Sequence, residues 1–431
     1  MKIAIISDTH LGDPLCTLVE KKGDSFIAGR KYKEFKDAAG TKNDYLILLG
    51  DILDFSVTSY QNAYEYGKAF FTMIQKDKIA DQYIYVPGNH DYGIWSVVEN
   101  EVNIIYQIKN GRLPRRFRMS VPGIIDDRKN SSNKGFTLPG VEIRTSGNFS
   151  YGGLFLDNIT KNFDSNSNSI TGKDSHFIFT YPNIYMVTDN ESILITHGHY
   201  LEAYWSILSE WTPRVFKSDL RIGTAMDIGE MVGINFPMNQ LACSGVGQAG
   251  LLTNVLSNVQ FQIKRGDLKK AKEYLNNLDD YLDDNVFEYK WYQFINEALT
   301  DTISNKVKDA IIDIMASHKE TRYNETFFNS DEVRKRFINY YNASLVELDN
   351  LKRFNNIIIP PPETIIFGHT HEPVPWNDKD APKEMPTAGK VVRLFNSGGW
   401  LMKEEDNEKV FCGAEVFKYE TNKGFSSISI R

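Results

Sequence analysis

The sequence predicts an α/β fold whose buried strands carry a polar site at the edge of a sheet. Three observations support this prediction. Short runs of consecutive apolar residues recur along the chain, and such runs are typical of strands buried on both faces. Helical patterns lie between the first of these runs, as parallel βαβ connections require. Each run also ends in a polar cluster that contains glycine, histidine or both.

Five apolar runs predict five strands, each followed directly by its polar cluster. The runs are 2–7 (KIAIIS), 45–49 (YLILL), 83–86 (YIYV), 192–196 (SILIT) and 364–367 (TIIF). Amphipathic patterns at 30–39 and 62–76 predict helices between the early strands. Ligand groups in such sheets gather beyond the carboxyl ends of the strands, which is where every polar cluster falls.

Two long segments interrupt this pattern. Residues 100–182 are rich in turn signals, and residues 201–356 are predicted to be mainly helical. We therefore expect one domain formed by 1–200 and 357–431, with 100–182 as a loop and strand insertion, and a helical insertion at 201–356, called the cap. The short strands expected in the first segment are 141–144, 154–156 and 176–180. The clearest helices expected in the second are 267–284, 286–314 and 330–354.

Composition and charge exclude several classes of protein. Of 431 residues, 41% are hydrophobic and 24% are charged, which excludes collagen-like and wholly disordered chains. The 49 basic and 56 acidic residues give a formal charge of -7. The chain as a whole therefore has no attraction to nucleic acid or anionic membranes, although a local basic segment could still provide one.

Several features predict a cytoplasmic protein without a membrane anchor. No apolar run approaches the roughly 18 residues that a transmembrane helix needs. The first residues start a strand, with an acid at position 8, and do not resemble a signal peptide. The cysteines Cys16, Cys243 and Cys412 lie far apart without a CxxC spacing, which is typical of reduced thiols.

Six of the eight histidines lie in the polar clusters, together with two aspartates and an asparagine. These nine residues are Asp8, His10, Asp51, Asn89, His90, His197, His199, His369 and His371. A single histidine at a strand end is usually structural, but this set of oxygen and nitrogen ligands suits Mn²⁺, Fe or Zn²⁺. Two such ions about 3.5–4 Å apart share a bridging carboxylate and can clamp both oxygens of an in-line phosphoryl displacement.

Five sequence blocks in this order resemble the calcineurin-like metallophosphoesterase superfamily. They are Asp8-Thr9-His10, Gly50-Asp51-Ile52-Leu53-Asp54, Gly88-Asn89-His90-Asp91, Thr196-His197-Gly198-His199 and Gly368-His369-Thr370-His371. The resemblance covers about 1–95, 185–199 and 364–400. It implies a four-layer α/β/β/α sandwich with a dinuclear metal site at one edge.

The resemblance also implies two ligand sets that share one carboxylate. The residues expected to hold the first ion are Asp8, His10, Asp51 and His371. Those expected to hold the second are Asp51, Asn89, His197 and His369. The two divalent ions would be Mn, Fe or Zn, and the nucleophile would be a hydroxide that bridges them.

Further residues receive roles from the same resemblance. His90 would face the phosphate, where it would protonate the leaving oxygen or stabilise the transition state. Asp91 and Asp54 would orient His90 and the ligand loops. His199 would face the substrate or bond to nearby backbone. The Asn-x-Gly turn within 395–400 would lie beside the site.

A basic run on the first insertion has two interpretations. It comprises Lys109, Arg112, Arg115, Arg116 and Arg118. The ordinary interpretation is a solvated loop or helix end. The alternative is that these cations, Arg115 and Arg116 among them, bind a second phosphate, a nucleotide or an anionic headgroup.

Two apolar features in or next to the cap also have two interpretations each. Residues 235–259 are poor in charge, which indicates a buried helix or, alternatively, an acyl-binding or membrane-facing surface. Four aromatic residues follow the HGH block and are expected to be core residues or to stack on a base or sugar. They are Tyr200, Tyr204, Trp205 and Trp211.

We expect a cytoplasmic metal-dependent phosphoesterase that acts on a phosphodiester or phosphoanhydride. Three alternatives stay open: a nuclease, a lipid-linked pyrophosphate hydrolase of the same superfamily, and a non-catalytic scaffold stabilised by metal. The expected partner is a phosphorylated substrate of unknown identity, while the net charge gives no support to nucleic acid or lipid headgroups. The sequence does not predict the oligomeric state.

Overall fold

A computed structural model describes most of the two ends of the chain and parts of its middle. The described residues are 1–143, 150–152, 156, 177–202, 205–206, 209, 226–236, 269–270, 273, 331–376, 383–387, 390–405 and 408–431. The chain divides into two compact units, one of Met1–Cys243 with Arg322–Arg431 and the other of Ser244–Thr321. The helices and strands below belong to the first unit. Residues 269, 270 and 273, within the helix expected at 267–284, are helical. The rest of that helix, the helix expected at 286–314, most of 235–259, and Tyr204, Trp211 and Cys243 lie outside the described residues.

The described residues form two large sheets and two hairpins. The strands are β1 Lys2–Ile6, β2 Val19–Lys22, β3 Ser25–Ala28, β4 Asn43–Leu49, β5 Ala80–Val86, β6 Gly123–Asp126, β7 Gly135–Thr137, β8 Phe177–Phe179, β9 Asn183–Val187, β10 Ser192–Thr196, β11 Thr364–Phe367, β12 Lys383–Thr387, β13 Lys390–Asn396, β14 Met402–Glu405, β15 Glu408–Phe411, β16 Ala414–Glu420 and β17 Gly424–Ile430. Five α-helices of the described residues are α1 Tyr32–Ala39, α2 Tyr60–Lys76, α3 Gly93–Asn100, α4 Tyr106–Lys109 and α5 Asp331–Asn355.

The six-stranded sheet has the order β17-β16-β1-β4-β5-β8, and the seven-stranded sheet has the order β12-β13-β11-β10-β9-β6-β7. In the first, β1, β4, β5 and β8 run parallel, and β16 pairs antiparallel with β1. In the second, β10, β11 and β13 run parallel. The hairpins are β2-β3 and β14-β15. The five strands predicted from apolar runs are all confirmed, and the early strands β1, β4 and β5 pair in parallel as βαβ connections require.

The interior strands and their helices bury the residues that the apolar patterns identify. All five residues of β10 and the last four of β4 are buried. The helix α2 buries Ala63, Phe70 and Ile74 along one face, and the Ser59 side chain accepts a hydrogen bond from the Asn62 N–H at its start, as an N-cap should. The predicted helices at 30–39, 62–76 and 330–354 therefore correspond to α1, α2 and α5.

The first insertion differs in part from its prediction. The strand expected at 176–180 corresponds to β8. The strand expected at 141–144 is wrong over its described part, because residues 141–143 contain only one isolated bridge residue, Ile143. In the strand expected at 154–156, the one described residue, Leu156, is helical. Two strands that the apolar runs did not reveal, β6 and β7, add to the edge of the seven-stranded sheet.

The two sheets contact each other through strand side chains and through the residues that follow their strands. The Phe395 ring of β13 lies 6.4 Å from the Phe417 ring of β16, and the Trp376 ring stacks on Phe395 at 4.3 Å. Close to these contacts, the Ser7 hydroxyl touches that of Ser397. The loops after β1, β4 and β5 therefore face the loops after β10 and β11. Within the described part of the chain, no helix is both long and apolar enough to cross a membrane.

Candidate metal centre

The loops that end the parallel strands hold five predicted ligands in an unusual backbone conformation. Asp8, His10, Asp51, His369 and His371 have φ values of 53°, 44°, 52°, 69° and 58°. Residues other than glycine are uncommon in this region, and each costs about 1–3 kcal/mol that the surrounding structure must supply. Hydrogen bonds between the loops help to offset this cost. The Asp8 N–H donates to the Gly50 carbonyl, and the His10 N–H donates to the Asp51 carbonyl.

The first ligand cluster contains Asp8, His10 and His371. The His371 Nε2 atom lies 3.2 Å from Asp8 Oδ1 and 3.0 Å from His10 Nε2. All three side chains are buried, and their ligand atoms lie within 4.8 Å of one another. The residues come from two different sheets, so the cluster forms only where the sheets meet.

The second ligand cluster contains Asp51, His197 and His369, with Asn89 beside it. The His197 Nε2 atom lies 3.2 Å from Asp51 Oδ2 and 3.2 Å from Asn89 Oδ1. The ligand atoms of Asp51, His197 and His369 also lie within 4.8 Å of one another. This cluster likewise joins loops of both sheets.

Asp51 lies between the two clusters. Its Oδ2 atom is 3.2 Å from His197 Nε2 in the second cluster and 3.8 Å from His10 Nε2 in the first. Its Oδ1 atom accepts a hydrogen bond of 2.7 Å from the His90 N–H. This position is the one that a bridging carboxylate needs.

Hydrogen bonds on the far side of the rings orient two of the histidines. The His197 Nδ1 atom lies 2.9 Å from the Leu49 carbonyl, and the His10 Nδ1 atom lies 2.7 Å from Asp54 Oδ2. Both partners accept a proton from Nδ1, which leaves the Nε2 lone pair directed at the cluster. Metal-binding histidines are usually held in this way.

Glu202 is a functional residue that the sequence did not reveal. Its Oε2 atom lies 2.5 Å from His369 Nε2 and accepts a 3.1 Å hydrogen bond from the Trp205 indole. The His369 Nδ1 atom is buried and has no hydrogen-bond partner among the described residues. The carboxylate thus accepts the Nε2 proton and leaves Nδ1 as the free ligand atom. The only sequence signal was an acid three residues after the HGH block.

His90 sits at the rim of the centre beside Asp54. Its Nδ1 atom lies 2.6 Å from the Ser56 hydroxyl and 3.1 Å from both carboxylate oxygens of Asp54. Its Nε2 atom is 4.0 Å from Asp51 Oδ2. Asp54 therefore orients both His10 and His90, while the second nitrogen of His90 points toward the Asp51 carboxylate.

Asp91 is buried beneath the ligand loops. Its carboxylate accepts hydrogen bonds from the Ile52 N–H at 2.8 Å, the Gly88 N–H at 2.6 Å and the Tyr85 hydroxyl at 2.6 Å. Burial and the charge of Asp51 raise the pKa of Asp91 to about 6. These contacts support the expected positioning of the ligand loops, and it is Asp54 whose carboxylate contacts the His90 ring.

The turn after β13 and a glycine hold the GHTH loop in place. The Asn396 amide donates to the Gly368 carbonyl at 2.7 Å and to the Thr370 hydroxyl at 3.1 Å. A Cβ atom on Gly368 would lie only 2.3 Å from Asp8 Oδ2. The backbone must therefore pass against the first ligand, and only glycine allows this approach.

Opposite charges offset the burial of the Asp51 carboxylate. Burial alone would raise the pKa of Asp51, but the neighbouring His197, His90 and His10 hold it well below its usual value. Burial lowers the pKa of His197, yet the Asp51 carboxylate outweighs this and raises it to about 9. Asp51 thus stays ionised, which is the state of a carboxylate that binds a cation.

The other predicted substrate residues lie apart from these clusters or are buried. The His199 ring is 5.5 Å from that of His197, and its Nε2 atom lies 3.3 Å from the Tyr181 hydroxyl. Burial and the nearby charges of His197 and His369 lower its pKa well below the usual value. Arg115 is exposed and pairs with Glu142 at 2.6 Å. Arg116 is also exposed, and the described contacts bring neither arginine to the clusters.

The donor set fits divalent metal ions. It consists of carboxylates, imidazoles and one amide oxygen, and the residues around it contribute no thiolate. The buried Nδ1 atom of His369, which has no hydrogen-bond partner among the described residues, fits the role of a metal-ligand atom. Such a set suits Mn²⁺, Fe and Zn²⁺ alike.

Comparison with known proteins agrees with this geometry. The model of the family described as calcineurin-like phosphoesterase matches residues 1–213, which contain four of the five sequence blocks. The fifth block, with His369 and His371, lies beyond the match, and the structure brings it to the same centre. No curated protein matches the chain. Residues 1–213 therefore match the calcineurin-like phosphoesterase family, as the sequence blocks predict.

Proposed function

We propose that the protein hydrolyses a phosphodiester or phosphoanhydride with two divalent ions. The observation that carries this proposal is the position of the buried Asp51 carboxylate between two ligand clusters. Two centres that share one carboxylate can bind both the attacking and the leaving oxygen of an in-line displacement.

Each cluster would hold one ion. The ligands proposed for the first are Asp8, His10, Asp51 and His371. Those proposed for the second are Asp51, Asn89, His197 and His369. When bound, the ions supply charge that makes a water acidic near neutral pH and that neutralises the phosphate oxygens.

We assign proton transfer to His90. Asp54 and Ser56 hold its Nδ1 atom, so Nε2 is the atom that reaches the substrate. A hydroxide attacks phosphorus, the bond from phosphorus to the leaving oxygen breaks, and His90 in its protonated form gives a proton to that oxygen. If the leaving group needs no proton, the same ring stabilises the charge on the transition state.

The finer features of the fold are part of the same proposal. We infer that the two sheets and their helices form a four-layer α/β/β/α sandwich, supported by the contacts between β13 and β16. The domain made of 1–200 and 357–431, the cap at 201–356 and the cytoplasmic location stay predictions from the sequence. So do the substrate contacts of His199, Arg115 and Arg116.

The alternatives predict different behaviour. A nuclease binds DNA in a strongly salt-dependent way. A lipid-linked pyrophosphate hydrolase depends on detergent or vesicles for turnover. A scaffold binds metal without turnover, and the presence of every ligand in the two clusters argues against it.

The test is metal-dependent turnover by protein stripped with EDTA and reloaded with Mn²⁺. We expect hydrolysis of bis-p-nitrophenyl phosphate in preference to p-nitrophenyl phosphate. Asp51→Asn should lower turnover at least a hundredfold and weaken Mn²⁺ binding, because the shared ligand loses its charge. Asp81→Asn, on the exposed side of β5, is the matched control and should keep full activity. An active Asp51→Asn protein with normal metal content would refute the assignment.

A further inference from the structure

The helix that leaves the metal centre carries an exposed apolar stripe. The chain is helical from Gly93 through Lys109, since α3 continues through a π-helical turn at Glu101–Ile105 into α4. Val97, Ile104 and Ile108 follow helical spacing on one face. The exposed apolar residues of this helical segment are Val97 at 45%, Ile104 at 40%, Ile105 at 47% and Ile108 at 59%. Leu113, shortly after its end, is 87% exposed.

Basic residues accompany this stripe. Residues 102–125 contain five cations and no acid, although the chain has a formal charge of -7. Glu142 pairs with Arg115 at 2.6 Å and with Arg112 at 3.5 Å. One carboxylate cannot neutralise this set, so the surface keeps a positive charge. The exposed cations are Lys109, Arg112, Arg115 and Arg116.

The end of α5 has the same character and lies beside the basic run. Phe354 is 79% exposed and follows Lys352 and Arg353. The next residue, Asn355, adjoins Gly140, since a Cβ atom built on Gly140 would lie 3.7 Å from its Nδ2. Arg118 donates a 2.8 Å hydrogen bond to the Gly140 carbonyl. We call the exposed residues of 97–116 and of 352–354 the basic apolar surface.

We propose that the basic apolar surface docks the protein onto a membrane surface that is rich in anionic lipid. Exposed apolar side chains can enter the boundary between headgroups and acyl chains while nearby cations pair with lipid phosphates. A nucleic acid would use the cations but would give the isoleucines and Leu113 no partner. A two-fold interface with a second copy would bring like charges together. This inference concerns a surface and does not depend on the proposed hydrolysis.

The test is cosedimentation of the full chain with vesicles. The vesicles contain phosphatidylcholine alone or with about a third phosphatidylglycerol. We expect binding to the anionic vesicles only. Each cation near such a surface contributes about fivefold to binding, so Lys109→Gln/Arg112→Gln/Arg116→Gln should weaken binding about a hundredfold. The matched control Arg334→Gln/Lys335→Gln/Arg336→Gln removes three cations from α5 away from its C-terminal end.

The apolar contribution is tested separately. Ile104→Ser/Ile108→Ser/Leu113→Ser should weaken vesicle binding at least tenfold, while the control Ile27→Ser/Val410→Ser/Ile428→Ser should not. Circular dichroism shows whether each variant keeps the fold. Binding that is equal for neutral vesicles, or an equal loss in the control variants, would overturn the proposal. An absence of binding to the anionic vesicles would also overturn it. In that case, salt-dependent DNA binding would identify the surface as a nucleic-acid site, and dimerisation that the serine variant abolishes would identify it as an interface between two copies.

Discussion

The proton transfer proposed for His90 depends on the residues that hold its ring. Its ring lies edge-on to His10 at 4.8 Å, and Asp54 contacts both rings. Replacing His90 by alanine would remove the proposed proton donor and retain every residue of the two ligand clusters. We expect His90→Ala to lower turnover of the diester by about 10²–10⁴ while the bound Mn²⁺ is unchanged.

A graded control distinguishes this role from a general disturbance. Ser56→Ala removes one Nδ1 contact and leaves Asp54 in place, so its loss of turnover should be much smaller. Steady-state kinetics and metal analysis of both variants provide the comparison. A His90→Ala protein that loses its metal would show that the residue is needed for the centre itself.

Glu202 should act on metal affinity through His369. We expect Glu202→Gln to weaken Mn²⁺ binding about tenfold and Glu202→Ala up to about a hundredfold, because an outer carboxylate makes the ligand ring more basic. Titration calorimetry measures both affinities directly. Glu65→Gln, at a partly exposed position of α2, is the control. Unchanged affinity in both Glu202 variants would contradict the role.

Asp51 and Glu202 show which individual site residues the sequence could predict and which it could not. Asp51 directly follows a buried strand inside a recognisable block, so its position is fixed by local sequence. Glu202 lies in no block, and its approach to His369 depends on a contact between residues 167 apart. Nothing local encodes that contact. The exposed ion pair of Arg115 with Glu142 could not be predicted for the same reason.

At the level of elements, α5 is attached to the seven-stranded sheet by a buried acid. Glu347 accepts hydrogen bonds from Ser120 at 2.5 Å, from the Tyr185 hydroxyl at 2.7 Å and from the Asn183 amide at 3.2 Å. Burial raises the pKa of Glu347, and these hydrogen bonds offset the rise only in part. The helix is thus joined to β9 through a buried carboxyl group whose pKa is raised.

This attachment predicts a pH-dependent stability. A raised pKa in the folded state means that the contribution of Glu347 is complete below its unfolded pKa and is lost as the pH rises through the folded value. We therefore expect the free energy of unfolding to fall less between pH 5 and pH 8 in Glu347→Gln than in the unmodified protein. Urea denaturation at both pH values measures this difference. Glu34→Gln is the control, and parallel pH profiles for Glu347→Gln would contradict the prediction.

The elements that were predicted correctly share one property. The strands β1, β4, β5, β10 and β11 are buried on both faces, so their apolar runs are continuous. The outer strands β6 and β7 are short, and their runs give no comparable signal. Apolar runs also do not reveal which strands pair, so the division into two sheets came only from the family resemblance.

At the level of the whole molecule, the two clusters should link stability to metal. An ion that binds only the folded state at about 100 times its Kd adds about 2.7 kcal/mol per site. We expect Mn²⁺ to raise the thermal midpoint of the EDTA-stripped protein by several degrees or more. Asp51→Asn should reduce this shift, since it weakens both sites. A scan of midpoint against Mn²⁺ measures the effect, and an equal shift in both proteins would exclude a shared ligand.

The pairing of β1 with β16 has a consequence for synthesis on the ribosome. Ile5 lies opposite Phe417, so β1 can pair with β16 only after about 400 further residues have been translated. At roughly 5–20 residues per second this delay lasts tens of seconds. During that time one edge of the nascent strand has no partner from β16, and unpaired strand edges favour aggregation. His371 is translated almost as long after Asp8, so the first cluster can form only late in translation.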